Sequence, residues 1–560
     1  IEGFSANDRG RLIMACGTGK TLVGVWVAER LKSVRTLVLV PSLSLMNQIS
    51  LEWQTNSTEP FRALFVCSDQ TVAKDTFVSS TSELKGSVTT DPVDIQRFLS
   101  GTGNRVVFST YQSSQEIAAA QASGAPAFDL VIADEAHHCA GKVDSAFATV
   151  LDANRLKATR RLFMTATQRY TSNQLKSAAA DLDIKIVSMD DTVDFGPEFY
   201  TLTFGQAIAD ELLSDYQVVI IGVTDQEVKR LIEDRTLVEL FGITDKNPSD
   251  YVAAIIGTLK AIKAYDLDHV LTFHSRIEKA KHFSSLLVKV NDILKDGDFV
   301  PALQTDHVSG EMSTAMRTRT LQRFREATEG ISLLSNSRCL GEGVDVRAID
   351  CVGFIDPRKS TIDIVQAVGR AIRKSDKEKI GTVLIPVFID ESTSEDPEDQ
   401  LASSRFAPVW NVLTALKAHD EVLREELDQL RFSLGRHHGH LVGSWPGKIY
   451  IDMPTEVGFS FVDALKTKVV EMTTSSWEFS FGLLQAYGEE KGDTRVPASH
   501  TESISGEVYR LGSWVNYMRT HSERLSPERI ARLNALPGWV WDDREAAWEE
   551  GFTALTKYIE

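Results

Sequence analysis

With 560 residues, the chain is too long for a single hydrophobic core, and its length predicts three or four domains. A hydrophobic content of 42% and a charged content of 25% are typical of a soluble globular protein, and no apolar run is long enough to cross a bilayer, so we expect no membrane partner. The net charge of −18 does not indicate a nucleic-acid binder, but a local groove can hold nucleic acid through backbone amides and a few hydroxyls.

The cysteines indicate a reducing compartment. They are odd in number, far apart and never arranged as CxxC: Cys16, Cys67, Cys139, Cys339 and Cys351. This spacing is unlike a disulfide framework or a zinc ribbon, and it predicts a cytoplasmic protein.

Short apolar runs alternate with helical stretches over the first 390 residues. The runs lie at residues 36–40, 105–109, 129–133, 161–164, 218–223, 270–273, 331–334, 351–355 and 382–387. Strands without polar alternation, separated by helices, are typical of parallel sheets that are covered on both faces. The pattern breaks at 188–215, where acidic residues, a glycine and a proline cluster, so we expect two α/β domains that meet there.

The sequence changes character after an acidic stretch at 391–400, which is typical of a solvated linker. Apolar residues at mostly helical spacing then predict one long helix or a broken pair of helices over 405–432. Seven of the nine tryptophans follow the linker, so we expect a different kind of domain there.

An internal repeat with a period of 71 residues lies in this last region. Four apolar residues recur with the same offsets of 4, 7 and 10: Trp477, Phe481, Leu484 and Tyr487, then Trp548, Phe552, Leu555 and Tyr558. These offsets place each set on one face of a helix. Because the second copy runs to the end of the sequence, we expect the chain to be part of a longer repeat array.

A glycine-rich turn between a strand at 11–14 and a helix to about residue 31 indicates phosphate binding. This glycine loop, residues 15–19, would present backbone N–H groups and a helix N-terminus to phosphate oxygens. Lys20 is expected to reach the β- and γ-phosphates and Thr21 to bind Mg²⁺. The predicted ATP contacts here are Gly17, Thr18, Gly19, Lys20 and Thr21. Met14 replaces the first glycine of the strict pattern GxxxxGK[ST], and for so loose a match a turn without a ligand is the alternative.

Two adjacent carboxylates follow the apolar strand at 130–133. Asp134 is expected to hold Mg²⁺, and Glu135 to polarise the water that attacks the γ-phosphate. Taken alone, the pair could equally be a helix N-cap with an acid in the first turn. Since the glycine loop and the carboxylates each follow a strand, in the order that a phosphate-loop ATPase needs, the two together predict an ATP site.

These segments resemble motifs of the superfamily 2 helicases. GTGKT at 17–21, DEAH at 134–137 and TAT at 165–167 are similar to motifs I, II and III, and the resemblance implies two RecA-like domains. It also implies that Thr165 and Thr167 couple hydrolysis to movement, and that His137 links the ATP site to the second domain. Read alone, the TAT triplet could be a helix cap.

Two further segments, VPSL at 40–43 and STYQ at 109–112, lie where motifs Ia and Ib of that family contact the nucleic-acid backbone. The resemblance therefore implies nucleic-acid contacts near four residues: Pro41, Ser42 and Thr110, with Arg338 from the second domain.

The second domain carries the motifs that would complete the site. QAVGRAIR at 366–373 matches motif VI, QxxGRxxR, which places Gln366 in the catalytic set. Arg370 and Arg373 would share a helix face and converge on one triphosphate, where positive charge stabilises the transition state. Without the full motif, two solvated arginines would be the favoured interpretation.

Two more segments of this domain resemble helicase motifs. LGEGVD at 340–345 is similar to motif V, which implies that Gly343 and Asp345 lie near the ATP, and FHS at 273–275 matches motif IV. The motifs follow one another in family order over residues 11–375.

The segment from Trp477 to Trp541 resembles the helicase-associated repeat that follows bacterial superfamily 2 motors. We predict helices at 476–490, 511–521 and 526–536, the last capped by Ser526 and followed by Pro527 in its first turn. The resemblance implies nucleic-acid binding. Because the acidic residues of this segment are about as numerous as its lysines and arginines, a basic face requires the basic residues to gather on one side of the folded repeat. Tryptophans at helical core spacing predict a hydrophobic core rather than platforms for base stacking.

The predicted fold is α/β: two RecA-like parallel-sheet domains followed by a mostly helical C-terminal region. We expect domain 1 at 1–200, domain 2 at 201–390, a connecting region at 391–474, the repeat at 475–541 and the start of a second, truncated repeat at 542–560.

The predicted function is an ATP- and Mg²⁺-dependent nucleic-acid motor, either a helicase or a double-strand DNA translocase, with DNA favoured over RNA. One alternative is a nucleotide-gated clamp on nucleic acid, although the intact catalytic set of Lys20, Glu135, Arg370 and Arg373 argues against it. The other is the motor subunit of a restriction or phage-defence assembly, with its nuclease on another segment or partner.

Overall fold

The computed structural model describes residues 1–67, 87–142, 146–170, 186–232, 248–293, 300–327, 329–337, 349–356, 360–374, 379–390, 397–504 and 506–559. The chain divides into two compact units. The first unit comprises residues 1–394, 403–420 and 450–456, and the second comprises 395–402, 421–449 and 457–560. Within the described stretches, every helix is too short or too polar to span a bilayer.

An eight-stranded sheet forms the first lobe of the first unit. Its strands are β1 (Arg9–Met14), β2 (Arg35–Val40), β3 (Arg62–Val66), β4 (Ser87–Thr89), β5 (Arg105–Thr110), β6 (Phe128–Ala133), β8 (Ala158–Thr165) and β10 (Glu198–Leu202). They lie in the order β10-β1-β8-β6-β2-β5-β3-β4, and every pair is parallel. A separate antiparallel pair joins β7 (Gly141–Lys142) to β9 (Ile186–Val187).

Helices connect these strands, as parallel pairing requires. They are α1 (Gly3–Ala6), α2 (Lys20–Arg30), α3 (Leu43–Asn56), α4 (Pro92–Leu99), α5 (Ser114–Ala122), α6 (Thr192–Phe195) and α7 (Phe204–Ala209). Central strands such as β2, RTLVLV, are buried at every position after the first, because both sheet faces are covered. The four apolar runs predicted for this lobe are confirmed as β2, β5, β6 and β8. The sequence does not predict β10, since this edge strand buries Leu202 alone and has no apolar run.

A second sheet forms the second lobe of the first unit. Its strands are β11 (Tyr216–Thr224), β12 (His269–Phe273), β13 (Leu303–Ser309), β14 (Ile331–Ser337), β15 (Cys351–Phe354), β16 (Gly381–Ile389) and β17 (Ile449–Asp452), in the order β13-β14-β12-β15-β16-β11-β17. Pairing from β13 to β11 is parallel throughout. Its helices are α8 (Asp225–Ile232), α9 (Pro248–Ala264), α10 (Ile277–Ile293), α11 (Thr314–Glu326) and α12 (Thr361–Ala371). The fold class predicted for the first 390 residues, two RecA-like lobes with parallel sheets, is therefore confirmed.

The region after the acidic stretch begins with three helices: α13 (Pro397–Leu401), α14 (Ala407–Lys417) and α15 (Glu421–Arg436). Of the two forms predicted for 405–432, the structure has the broken pair, α14 and α15. The break is fixed within the first unit, because the Tyr216 hydroxyl donates to the fully buried Asp420 carboxylate at 2.8 Å. Residues 391–396 of the predicted linker lie outside the described residues.

The second unit is mostly helical, as predicted. It continues with α16 (Phe459–Thr473), α17 (Ser476–Lys491), the hairpin strands β18 (Glu502–Ile504) and β19 (Glu507–Tyr509), α18 (Leu511–Thr520), α19 (Pro527–Asn534) and α20 (Asp543–Ile559). The three helices of the repeat are confirmed as α17, α18 and α19, and the Ser526 hydroxyl caps α19 by accepting from Arg529 N–H at 3.3 Å.

The four apolar residues that recur with a period of 71 form a stripe along one face of a helix, and the two copies of this stripe differ in burial. In α17, Trp477 is 5% exposed and packs with Phe481, Leu484 and their neighbours into one hydrophobic core. This burial confirms the prediction that Trp477 is a core residue. In α20, no residue is buried, and Trp548 is 72% exposed.

Candidate functional site

The order of the first sheet brings the predicted motifs together. β8 lies between β1 and β6, so the glycine loop, Thr165 and Asp134 all emerge at one edge from adjacent strands. The carboxyl edge of a parallel sheet is where α/β proteins bind ligands. Five of the predicted residues that follow these strands are therefore neighbours: Lys20, Asp134, Glu135, His137 and Thr165.

The glycine loop has the backbone that the sequence predicts. Gly17 and Gly19 have φ values of 86° and 87°, a left-handed conformation that glycine adopts without steric cost. Gly19 is the N-cap of α2, whose first turn contains no acidic residue, so its N–H groups and helix dipole suit an anion. Met14, the departure from the strict pattern, ends β1 with its side chain 4% exposed, and its carbonyl accepts from Lys20 Nζ at 3.3 Å.

Glu135 is held in an unusual backbone conformation. Its φ is 48°, and a residue with a side chain occupies this left-handed region only at a cost of about 1–3 kcal/mol. Glu135 N–H donates to Oδ1 of the buried Asp134 at 3.0 Å. Strain of this kind is typical of functional sites, because the surrounding structure has to maintain it.

Charges around Glu135 keep its carboxylate ionised. Burial alone would raise the pKa of Glu135, but the positive charge of Lys20 and the hydrogen bond and charge of His137 lower this pKa to about 2. Burial alone would likewise lower the pKa of Lys20, but Cys16, Glu135 and Asp134 raise it above its ordinary value. A partly buried ammonium and a partly buried carboxylate thus coexist near neutral pH.

His137 connects the carboxylates to the TAT segment. Its Nδ1 lies 3.1 Å from the Thr165 hydroxyl and 3.4 Å from Glu135 Oε2. The Thr165 hydroxyl also donates to the Thr167 carbonyl at 2.8 Å and accepts from Thr167 N–H at 3.1 Å. Motifs II and III therefore form one hydrogen-bonded network within the first lobe. Contact between His137 and the second lobe stays a prediction.

The second lobe brings two arginines to the glycine loop. Gln366 and Arg370 are buried on α12. Burial raises the pKa of the Cys16 thiol, and the nearby positive charges of Lys20, Arg373 and Arg370 partly offset this rise. The Arg373 side chain also packs near Gly17, because a Cβ added to Gly17 would lie 3.2 Å from Arg373 Cγ.

The predicted helical relation between these arginines is wrong. α12 ends at Ala371, with Ile372 as its C-cap, so Arg373 lies beyond the helix. Arg373 instead pairs with Leu213 in an isolated antiparallel bridge, and this bridge directs it to the loop. Spacing in sequence could not reveal the bridge, because Leu213 is distant along the chain.

Oxygen ligands for a magnesium ion are present at this edge of the sheet. Thr21 lies in the first turn of α2, and Asp134 follows β6 directly. A hydroxyl and a carboxylate are donors that Mg²⁺ accepts in its octahedral shell beside water and phosphate oxygens. The side chains thus fit the predicted metal.

The predicted nucleic-acid contacts are less well placed. Pro41, Ser42 and Thr110 are buried. The Ser42 hydroxyl accepts from Leu45 N–H as the cap of α3, and the Thr110 hydroxyl donates to Ser113. These three assignments stay predictions. Three other predicted site residues lie outside the described residues: Arg338, Gly343 and Asp345.

Comparisons with known proteins agree with this geometry. The family "Type III restriction enzyme, res subunit" matches residues 2–169, "Helicase conserved C-terminal domain" matches 254–375, and "Helicase associated domain" matches 474–542. A probable helicase of African swine fever virus is 25% identical over 424 residues, which cover 75% of this chain and 43% of the viral protein. The same helicase from another isolate is 26% identical over 427 residues, 76% of this chain and 43% of that protein.

Solved structures give the same result. The chain is similar to the ATP-dependent Type ISP restriction-modification enzyme LlaBIII bound to DNA, with 26% identity, a TM-score of 0.70, and coverage of 94% of this chain and 38% of that one. The chain is also similar to a nuclease-deletion mutant of the Type ISP enzyme LlaGI in complex with a DNA substrate mimic, with 24% identity and a TM-score of 0.57. The match covers 88% of this chain and 33% of that one, and it supports the fold alone. The chain spans less than half the length of these relatives.

Two RecA-like lobes with a glycine loop, paired carboxylates and arginines at one place define a helicase-type nucleotide-binding protein. The matched families specify the class further: the chain belongs to the superfamily 2 helicases, with a helicase-associated repeat after the second lobe.

A contact between the lobes generates the first prediction. A Cβ added to Gly369 would lie 2.5 Å from Cys16 Cβ, too close for two carbon atoms. Gly369→Ala should therefore hold the lobes apart and lower kcat for ATP hydrolysis by about 10- to 100-fold, because small displacements of catalytic groups are costly.

The control for this prediction is Gly551→Ala in α20, where an added Cβ meets nothing within 4 Å. Both substitutions favour a helix, so a loss confined to Gly369→Ala cannot come from helix propensity. Equal kcat for Gly369→Ala and the unmodified chain would show that the contact does not matter for hydrolysis.

Proposed function

We propose that this chain is an ATP-hydrolysing motor that acts on DNA. The observation that carries the proposal is the convergence of Lys20, Glu135, Arg370 and Arg373 around the glycine loop. The two arginines reach this loop from the second lobe, so hydrolysis can be coupled to relative movement of the lobes.

The groups around the loop suit hydrolysis of the terminal phosphate. Glu135 accepts a proton from water as the water oxygen bonds to the γ-phosphorus, and the bond from that phosphorus to the β,γ-bridging oxygen breaks. ADP and inorganic phosphate are the products. Arg370 and Arg373 stabilise the negative charge that develops on the phosphoryl oxygens, and Lys20 stabilises the β- and γ-oxygens. Magnesium, held by Thr21 and Asp134, would supply further neutralisation of phosphate charge.

DNA is favoured over RNA because the restriction-modification enzyme at 26% identity is described as bound to DNA. The same similarity supports a restriction or defence context, in which a nuclease acts together with the motor. A cytoplasmic location is part of the proposal and rests on the cysteine pattern. The four cysteines among the described residues are not joined in disulfides: Cys16, Cys67, Cys139 and Cys351.

The domain boundaries of the proposal are those predicted from the sequence, with a second repeat beginning near residue 542. The exposed stripe of α20 supports this second repeat, because it has the spacing of the stripe that α17 buries in its core.

A nucleotide-gated clamp is the second candidate function. The Ser42 and Thr110 hydroxyls are buried and hydrogen-bonded within the first lobe. This favours the clamp, because a motor that steps along a nucleic-acid backbone would need these hydroxyls exposed to contact it. The ionised Glu135 favours the motor, because a clamp that only binds nucleotide has no use for a carboxylate that activates water.

The polymer that stimulates hydrolysis identifies the track. We expect steady-state ATP hydrolysis to rise several-fold with duplex DNA and less with RNA, and to lose this stimulation as salt increases. The assay compares no polymer, single-stranded DNA, duplex DNA and RNA at two salt concentrations. Equal turnover in all four, together with nucleotide-dependent DNA binding, would favour the clamp.

Removal of the Glu135 charge separates binding from turnover. Glu135→Gln keeps the size of the side chain, so ATP affinity should stay within about twofold while kcat falls by about 100- to 10,000-fold, the usual contribution of a general base. A fluorescent ATP analogue measures binding, and phosphate release measures turnover.

Glu29→Gln is the matched control, because Glu29 lies at the end of α2 that is far from the glycine loop. Its Oε1 accepts from the Ser57 hydroxyl and from Thr58 N–H. It should change stability without changing kcat. Normal turnover in Glu135→Gln would overturn the role of this carboxylate.

A further inference from the structure

Tyr111, the residue after Thr110, has a contact that none of the predicted roles uses. Its side chain is fully buried, and its hydroxyl donates to the Asp134 carbonyl at 2.6 Å. Burial raises the pKa of Tyr111 well above its ordinary value, so the hydroxyl keeps its proton and stays a donor.

The accepting carbonyl belongs to the peptide group that joins Asp134 to Glu135. The orientation of that peptide plane sets ψ of Asp134 and φ of Glu135 together. Glu135 has its left-handed φ of 48° at this same bond. A hydrogen bond to the carbonyl therefore stabilises the strained conformation on which the direction of the Glu135 side chain depends.

Aromatic rings fix Tyr111 on its other side. Its ring stacks on Phe147 with centroids 5.3 Å apart, and Phe147 stacks on His138 at 5.7 Å. His138 in turn lies 4.3 Å from the ring of His137, the residue whose Nδ1 contacts Thr165. A chain of stacked rings thus links the tyrosine to His137, and the hydroxyl also has the Cys139 thiol as a hydrogen-bonding neighbour.

The main chain of Tyr111 is also anchored. Its N–H donates to the Val40 carbonyl at 3.0 Å, at the start of the VPSL segment. Residues 109–112 and 40–43 are the two segments predicted to contact nucleic acid. Tyr111 therefore joins both of them through hydrogen bonds to the main chain of Asp134, beside the carboxylates of the ATP site.

We propose that Tyr111 is a positioning residue for Glu135, which holds the Asp134–Glu135 peptide in the orientation that directs the carboxylate at the attacking water. The inference rests on the proposed hydrolysis of ATP and adds a residue to it. Because the Tyr111 hydroxyl donates to the peptide group between Asp134 and Glu135, its effect on hydrolysis passes through that peptide group to Glu135.

Tyr111→Phe tests the inference, because it removes the hydroxyl and keeps the ring stack. The hydrogen bond contributes about 0.5–1.5 kcal/mol, so kcat for ATP with saturating duplex DNA should fall about 2- to 12-fold. KM for ATP should stay within about twofold, since the glycine loop is unchanged.

Tyr216→Phe is the matched control, because it removes an equally buried hydroxyl that donates to Asp420 in the second lobe. It should lower Tm at least as much as Tyr111→Phe while leaving kcat unchanged. A fall in kcat that follows Tm in both variants would make Tyr111 a merely structural residue and overturn the proposal.

A double-mutant cycle with Glu135→Gln tests whether the effect of Tyr111 on hydrolysis passes through Glu135. If Tyr111 acts through Glu135, adding Tyr111→Phe to Glu135→Gln should cost no further turnover in a single-turnover assay. Additive losses would overturn the positioning role. If the unmodified chain hydrolyses ATP and Tyr111→Phe equals it, this inference alone fails; if the unmodified chain hydrolyses no ATP, the proposed function fails as well.

Discussion

The electrostatic attraction between Lys20 and Glu135 is the constraint on which the site depends. Each group is partly buried, and a charge that is taken out of water without a compensating charge is unfavourable. The lowered pKa of Glu135 and the raised pKa of Lys20 show that the two charges stabilise each other. The end of β6 must therefore stay near the start of α2, and β8 between β6 and β1 fixes their separation.

Much of this arrangement could be predicted from the sequence, because parallel strands and glycine turns leave local patterns. The apolar runs gave the central strands, and GTGKT and DEAH gave the residues at their carboxyl ends. Edge strand β10 was missed, because its exposed positions carry no apolar run. Arg373 and Tyr111 act through contacts with Leu213 and the Asp134 carbonyl, which are distant in sequence. Main-chain contacts of this kind have no residue-type signature, so spacing alone cannot reveal them.

The helicase-associated repeat shows a similar division between pattern and packing. Trp477 is buried as its spacing predicts, but the pattern does not tell what surrounds it. Arg529 and Arg532 both lie 4.7 Å from the Trp477 ring, and Arg532 forms two hydrogen bonds with the Glu478 carboxylate. These arginines stabilise the core of the repeat, and Arg532 shares its charge with an acid. Arg532 would therefore add little positive charge to a basic surface on this repeat, because the Glu478 carboxylate neutralises it.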